Sequence, residues 1–269
     1  MSAPKSLASS LYSDRLIVIV LLVSVTIASW LFIINGGGMG MPALKMTSLD
    51  LAYGGGMRMP LEMASWTAGY AVVMFFMWWV MMIAMMLPSA STAILLFMRA
   101  HNNSTESERS YLPTIVFASG YLTAWAGFSA LATGAQWLLE DANLLNKMMA
   151  TTSPVLGGGL LLVAGFWQFT PWKYACLRHC RSPVIFLMAR WRSGRIGTFV
   201  MGMDHGAFCL GCCWFLMALL FFGGIMNLWW IGGLALYVLA EKLMPAGHWL
   251  GYGLGVILTL WGLAIVLSI

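Results

Sequence analysis

Residues 16–34 read LIVIVLLVSVTIASWLFII, nineteen residues without a charge, a proline or a glycine. A helix needs about 20 mostly apolar residues to cross the hydrocarbon layer of a bilayer. The run is too long for the core of a typical signal peptide, and no small-x-small site ends it cleanly, so it reads as an uncleaved first span. Six further apolar runs follow, at roughly 66–87, 113–138, 155–172, 200–222, 226–243 and 248–267. The expected fold is therefore an all-α, polytopic transmembrane helix bundle of about seven spans. The count falls to six if two of the last three runs merge or one is re-entrant, because only GGIMN and MPAGH separate them.

Composition supports this frame. Of 269 residues, 61% are hydrophobic and 9% charged, whereas soluble domains carry about a quarter charged residues. The chain reads as a single membrane domain, 1–269, with 35–65 as its one sizeable external loop. Orientation follows from lysine and arginine. With the N-terminus inside, the inner segments hold Lys5, Arg15, Arg99, Arg109, Lys173, Arg178, Arg181, Arg190, Arg192, Arg195 and Lys242, against Lys45, Arg58 and Lys147 outside. That asymmetry is the positive-inside pattern of a multi-pass protein of the bacterial inner membrane. The net charge of +5 thus records topology. The natural partner of these basic residues is anionic lipid of the bilayer, and they do not argue for nucleic acid.

In the outer loop, GGGMGMP at 36–42 returns as GGGMRMP at 54–60. Glycine-rich segments pack poorly, so Met39, Met41, Met57 and Met59 stand as flexible soft-sulfur donors or as residues that dip into the headgroup layer. The next span carries MFFMWWVMMIAMMLPS at 74–89. Met74, Met77, Met81 and Met85 recur at helical intervals and form one stripe, with Met82 and Met86 beside it. Such a stripe packs well on aromatic rings; it also offers thioethers to a soft cation, above all copper(I). Pro88 is expected to end or kink this helix.

Two segments gather the thiols. QFTPWKYACLRHCRSP, at 168–183, sets Cys176 and Cys180 one turn apart with His179 adjacent. MGMDHGAFCLGCCWFLM, at 201–217, sets His205, Cys209 and Cys212 on one helical face, with Cys213 further round. Thiolate and imidazole are the usual ligands of copper(I) and of zinc, the alternative metal. Arg178, Arg181 and Lys173 are expected to favour thiolate, and Asp204 to orient the imidazole of His205. Glu241 and Lys242 read as an interfacial pair that snorkels toward water. Cysteine is also a common small packing residue in membrane bundles. The odd cysteine count and the inner placement argue against a structural disulfide.

MWWVMMIAMMLPS, the Cys176/Cys180 segment and HGAFCLGCCWFLMALLFFGGIMNLWW followed by Glu241-Lys242 together resemble the bacterial predicted metal-binding integral membrane proteins, over roughly residues 66–245. The resemblance implies a metal-binding class and no reaction. The paired outer GGGMxMP loops have no counterpart in that pattern.

Three functions fit the residues. The first is copper(I) handling: binding, transfer, or insertion into a membrane copper enzyme. The second is membrane thiol-disulfide exchange through Cys209/Cys212/Cys213 and Cys176/Cys180. The third is an accessory subunit of a larger membrane complex. There is no GxxxxGK[ST], HExxH or Gly-x-Ser-x-Gly, so an ATPase or a hydrolase is disfavoured.

Overall fold

The computed structural model of the chain describes residues 4–40, 42–47, 66–104, 111–146, 149–245 and 247–269. The elements are α1 (Pro4–Ile34), α2 (Ala43–Met46), α3 (Ala68–Ser104), α4 (Tyr111–Asp141), α5 (Pro154–Trp167), α6 (Pro171–Arg181), α7 (Pro183–Arg190), α8 (Gly194–Ala218), α9 (Leu220–Gly223), α10 (Leu228–Leu243) and α11 (Gly247–Leu267). Extended pairing among the described residues is limited to one bridge, Leu145 to Thr151. The all-α polytopic bundle is thus the observed architecture.

Among the described residues five helices are long and apolar enough to cross a membrane: Asp14–Ile34, Ala68–His101, Tyr111–Asp141, Gly194–Gly223 and Gly247–Leu267. A sixth crossing arises if Pro154–Trp167 and Pro171–Arg181, bent by 65°, form one broken span. The break has a local cause. Pro171 disfavours helical backbone at Thr170, which sits extended at φ −76°, ψ 141° and caps α6 by accepting the Lys173 amide. The expected sixth span, 226–243, is α10, with 16 residues. At about 1.5 Å per residue it reaches only ~24 Å, short of a ~30 Å hydrocarbon layer.

Pro88 does not end its helix. It lies inside α3, which continues to Ser104. Neighbouring hydroxyls bond to carbonyls around the proline: Ser89 Oγ donates to Met86 O and Ser91 Oγ to Pro88 O. Such local bonding makes an interior proline tolerable in a membrane helix.

α3 and α4 run antiparallel, with Phe97 stacked on Phe117 near one end and Trp78 donating to Gln136 toward the other. α4 and α8 run parallel and very close. A Cβ placed on Gly202 would stand 1.9 Å from Phe117 O, and one on Gly120 2.1 Å from Phe199 O. Only glycine admits backbones at that spacing, the small-residue packing common between membrane helices. α11 lies against α5 in the same manner, Gly262 facing Gly158. α1 covers the outside of α3 and α4 and leaves Leu16, Val20, Ile27 and Leu31 exposed, as a lipid-facing span should. Trp172, Trp229 and Trp249 are exposed at helix starts, where tryptophan suits the boundary between lipid and water.

Candidate functional site

The methionine stripe faces inward. Met74, Met77, Met81, Met82, Met85 and Met86 are all at most 1% exposed. Hydrophobic burial alone accounts for most of that placement. The ladder has contacts at both ends. Near one end the turn at 36–40 sits directly on it: a Cβ on Gly37, at φ +59°, would lie 2.9 Å from Met77 Cγ and 3.3 Å from Met226 Cε. Met39 is half-buried against the same core. Met41, Met57 and Met59 lie outside the described residues. At the other end Met86 Sδ is 4.0 Å from Cys213 Sγ.

There the thiols meet. α6 brings Cys176 and Cys180, and α8 brings Cys209, Cys212 and Cys213. All five are free thiols. Cys180 is buried in the same core as Cys209, Cys212 and Cys213, and Cys176 packs on Gly211, whose missing side chain leaves room for the sulfur. Cys212 and Cys213 both turn back to the Cys209 carbonyl at 3.0 Å. Among the described residues no three His, Cys, Asp or Glu side chains already stand in metal-holding geometry. The thiols gather without closing a site among themselves.

Cys209 instead belongs to a ring of polar groups drawn from four helices. Lys242 Nζ, from the last turn of α10, donates to Cys209 Sγ at 2.9 Å and to Ser89 Oγ at 3.0 Å. Ser89 in turn donates to Met86 O at 2.9 Å. Tyr121 OH, from α4, lies 3.2 Å from Met86 O and 3.2 Å from Cys209 Sγ. A phenol has one proton for these two acceptors, so it can serve the sulfur or the carbonyl. Cys209 is 1% exposed, Tyr121 0% and Lys242 7%.

A buried ion pair lies one residue away. Glu241 Oε1 is paired with Lys173 Nζ, which also donates to Gln168. Tyr237 OH donates to the same carboxylate at 3.1 Å. Lys173, Gln168 and Glu241 are all fully buried. This overturns the snorkelling pair. Consecutive helical residues point about 100° apart, so Glu241 turns to α6 and Lys242 to α8. Both stay inside because each finds a partner there.

The expected second sphere also differs. The cation beside the thiols is Lys242. Lys173 serves Glu241, and Arg181 donates to the carbonyls of Met244 and Pro245, at 2.6 and 2.5 Å, tying α6 to the turn before α11. Asp204 points away from His205 and pairs with Arg190 at 3.2 Å and Arg192 at 3.5 Å. His205 is 2% exposed among Phe117, Tyr121 and Phe186, and its Nδ1 has no hydrogen-bond partner. His179 lies on Phe208, ring centroids 4.2 Å apart, with Nδ1 2.8 Å from Ala175 O.

Sequence reasoning missed Lys242, Tyr121 and Ser89 as neighbours of the sulfur. Adjacent Glu and Lys in an apolar helix carried a usable signal, since two faces imply two buried partners. Tyr121 and Ser89 carried none.

The fold and this centre define a class: a polytopic helical membrane protein whose interior holds thiols and thioethers beside a buried ammonium. Within that class, the PpoB2 family model, described as copper chaperone, matches residues 75–265, more than two thirds of the chain. The chain belongs to that family. No curated protein and no solved structure matches it. The match supports copper handling in general, and the matched span takes in the methionine stripe from Met77 onward, both cysteine segments and Lys242.

Proposed function

We propose that the protein is a membrane copper(I) chaperone whose cargo binds at Cys209, with Met86, Cys213, Cys180 and Cys212 as the sulfur donors that close around it. The carrying observation is the Cys209–Lys242 contact. A buried ammonium needs a compensating anion. Among the described residues Lys242 forms no ion pair with a carboxylate. The adjacent thiol supplies that charge as a thiolate, the form that binds metal. Copper(I) brings the same single positive charge that the ammonium presents to the sulfur. Zinc brings two, and would require a second thiol to give up its proton in a dry interior. Soft thiolate and thioether donors also favour copper(I).

Cys176, His179 and His205 stand outside this donor set in the present arrangement. Met77, Met81 and Met85 form the approach, and Met39, Met41, Met57 and Met59 the outer collecting arms. The end bearing Arg99, Arg178, Arg181, Arg190, Arg192 and Arg195 faces the cytoplasm of a bacterial inner membrane. The recipient is a membrane copper enzyme or complex. Thiol-disulfide exchange is the weaker reading, because a bulky partner disulfide cannot reach sulfurs that are at most 7% exposed at Cys180, Cys209, Cys212 and Cys213, while an ion can.

The test is anaerobic copper(I) competition against a chromogenic chelator with purified protein. Wild type should retain copper against the chelator, and Cys209→Ser should weaken it by about 100-fold or more. Equal affinity in the two proteins would sink the assignment.

A further inference from the structure

Far from the thiols, a second group of soft donors surrounds one amide. Gln136 on α4 is fully buried. Its Oε1 accepts from Trp78 Nε1 at 2.8 Å, which fixes the amide's direction. Its Nε2 then faces three acceptors: Met74 Sδ and Met149 Sδ, each at 3.5 Å, and Glu140 Oε1 at 2.8 Å. A primary amide has two N–H groups, so three electron-pair donors share two protons. The pocket is richer in donors than its present occupant can use. Glu140 Oε2 is held by Trp66 Nε1 at 2.7 Å, and among the described residues the carboxylate forms no ion pair.

Met149 reaches this place through an uncommon backbone. Its φ is 55°, the left-handed region that residues other than glycine seldom occupy. The turn is closed by Met149 N bonding Asn146 O at 2.8 Å and anchored by Thr151 N bonding Phe221 O at 2.7 Å. The result carries a loop methionine inward to face one on α3.

We propose that Met74, Met149 and Glu140 form a second, outer site for a soft monovalent cation, with the Gln136 amide standing where the ion would sit. The ligand class follows from the donors. Two thioethers select a soft ion, and one carboxylate neutralises a single charge. Thioether side chains are flexible enough to close inward on an ion smaller than an amide group. Gln136 then acts as the gate, filling the site when empty and turning aside when it is loaded. This inference rests on the copper reading and deepens it: the site is the loading station, and Met77, Met81, Met85 and Met86 continue from it toward Cys213. Met74 to Met86 covers about 18 Å along the helix axis.

The experiment uses full-length protein labelled with 13C at the methionine methyls and titrated with silver(I), a redox-inert stand-in for copper(I). Wild type should bind about two ions per chain, with methyl shifts at Met74 and Met149 as well as at Met86. Met74→Leu/Met149→Leu keeps side-chain volume and so should keep the fold; it should bind about one ion, still lost in Cys209→Ser. Glu140→Gln should weaken the outer site about tenfold and leave the inner one alone. Unshifted Met74 and Met149 methyls, with Cys209→Ser abolishing all binding, would overturn the outer site and leave the chaperone reading standing. No silver binding in any variant would overturn both.

Discussion

Lys173 and Lys242 are both buried ammonium groups, on α6 and α10, and their partners differ. Lys173 meets the Glu241 carboxylate, Gln168 and, through the carboxylate, Tyr237. Lys242 meets a thiol and a serine hydroxyl. The difference lies in what each partner becomes when the lysine is taken away. A carboxyl with an ordinary pKa of about 4.3 costs about 3.7 kcal/mol to hold neutral at pH 7. A thiol, ordinarily near about 8.5, is neutral there without cost. The first pair is therefore locked, a brace between α6 and α10. The second can exchange its cation, as the proposed cargo site requires.

This contrast can be broken or sharpened by four substitutions. Lys173→Met should destabilise the protein most, by about 3–5 kcal/mol, because it strands a buried carboxylate. Thermal unfolding in detergent reads this, and Lys173→Met with Glu241→Leu should recover most of the loss. Gly202→Ala comes next. Its methyl would meet the Phe117 carbonyl, and overpacking of that kind costs about 1–3 kcal/mol. Because α4 carries Tyr121 and α8 carries Cys209, copper affinity should fall along with stability. Lys242→Met should lower stability by only about 1 kcal/mol, a loss equal to that of Lys173→Met being the result that would collapse the comparison. Asp204→Asn should be nearly silent, at about 0.5 kcal/mol or less, since its arginine partners are 43% and 49% exposed. A large effect there would mean that Asp204 serves His205 after all.

Much of the fold was legible because a bilayer imposes simple demands. Uncharged runs such as 16–34 and 248–267 had no alternative to helix, and the observed α1 and α11 cover them. Run length was less reliable where buried charge sets the boundary. α10 is short, and it ends where Lys173 and Cys209 receive Glu241 and Lys242. The α5–α6 break at Thr170-Pro171, with its 65° bend, lies inside the run 155–172 that reads as a single span in the sequence.

Of the site, the clustering of thiols followed from spacing, because Cys209, Cys212 and Cys213 share a helix and Cys176 and Cys180 share another. The inward direction of the methionine stripe did not. A stripe names a face and leaves open what covers it, and here α4, α8 and α10 do so. The expected help from Arg178, Arg181 and Asp204 rested on nearness along the chain. In the fold Arg181 bonds the Met244 and Pro245 carbonyls, and Asp204 pairs with Arg190 and Arg192.

By itself, then, the sequence determined the helical membrane class and the soft chemistry of the donors, since both depend on side-chain type and on periods that a helix repeats locally. Only the tertiary structure decided which cation stands beside which anion. Lys242 reaches Cys209 across 33 residues, and Tyr121 does so across 88. The second meeting is set by how closely glycine lets α4 and α8 approach, and the first by how α10 packs beside α8; both are properties of paired backbones that no local pattern of residues contains.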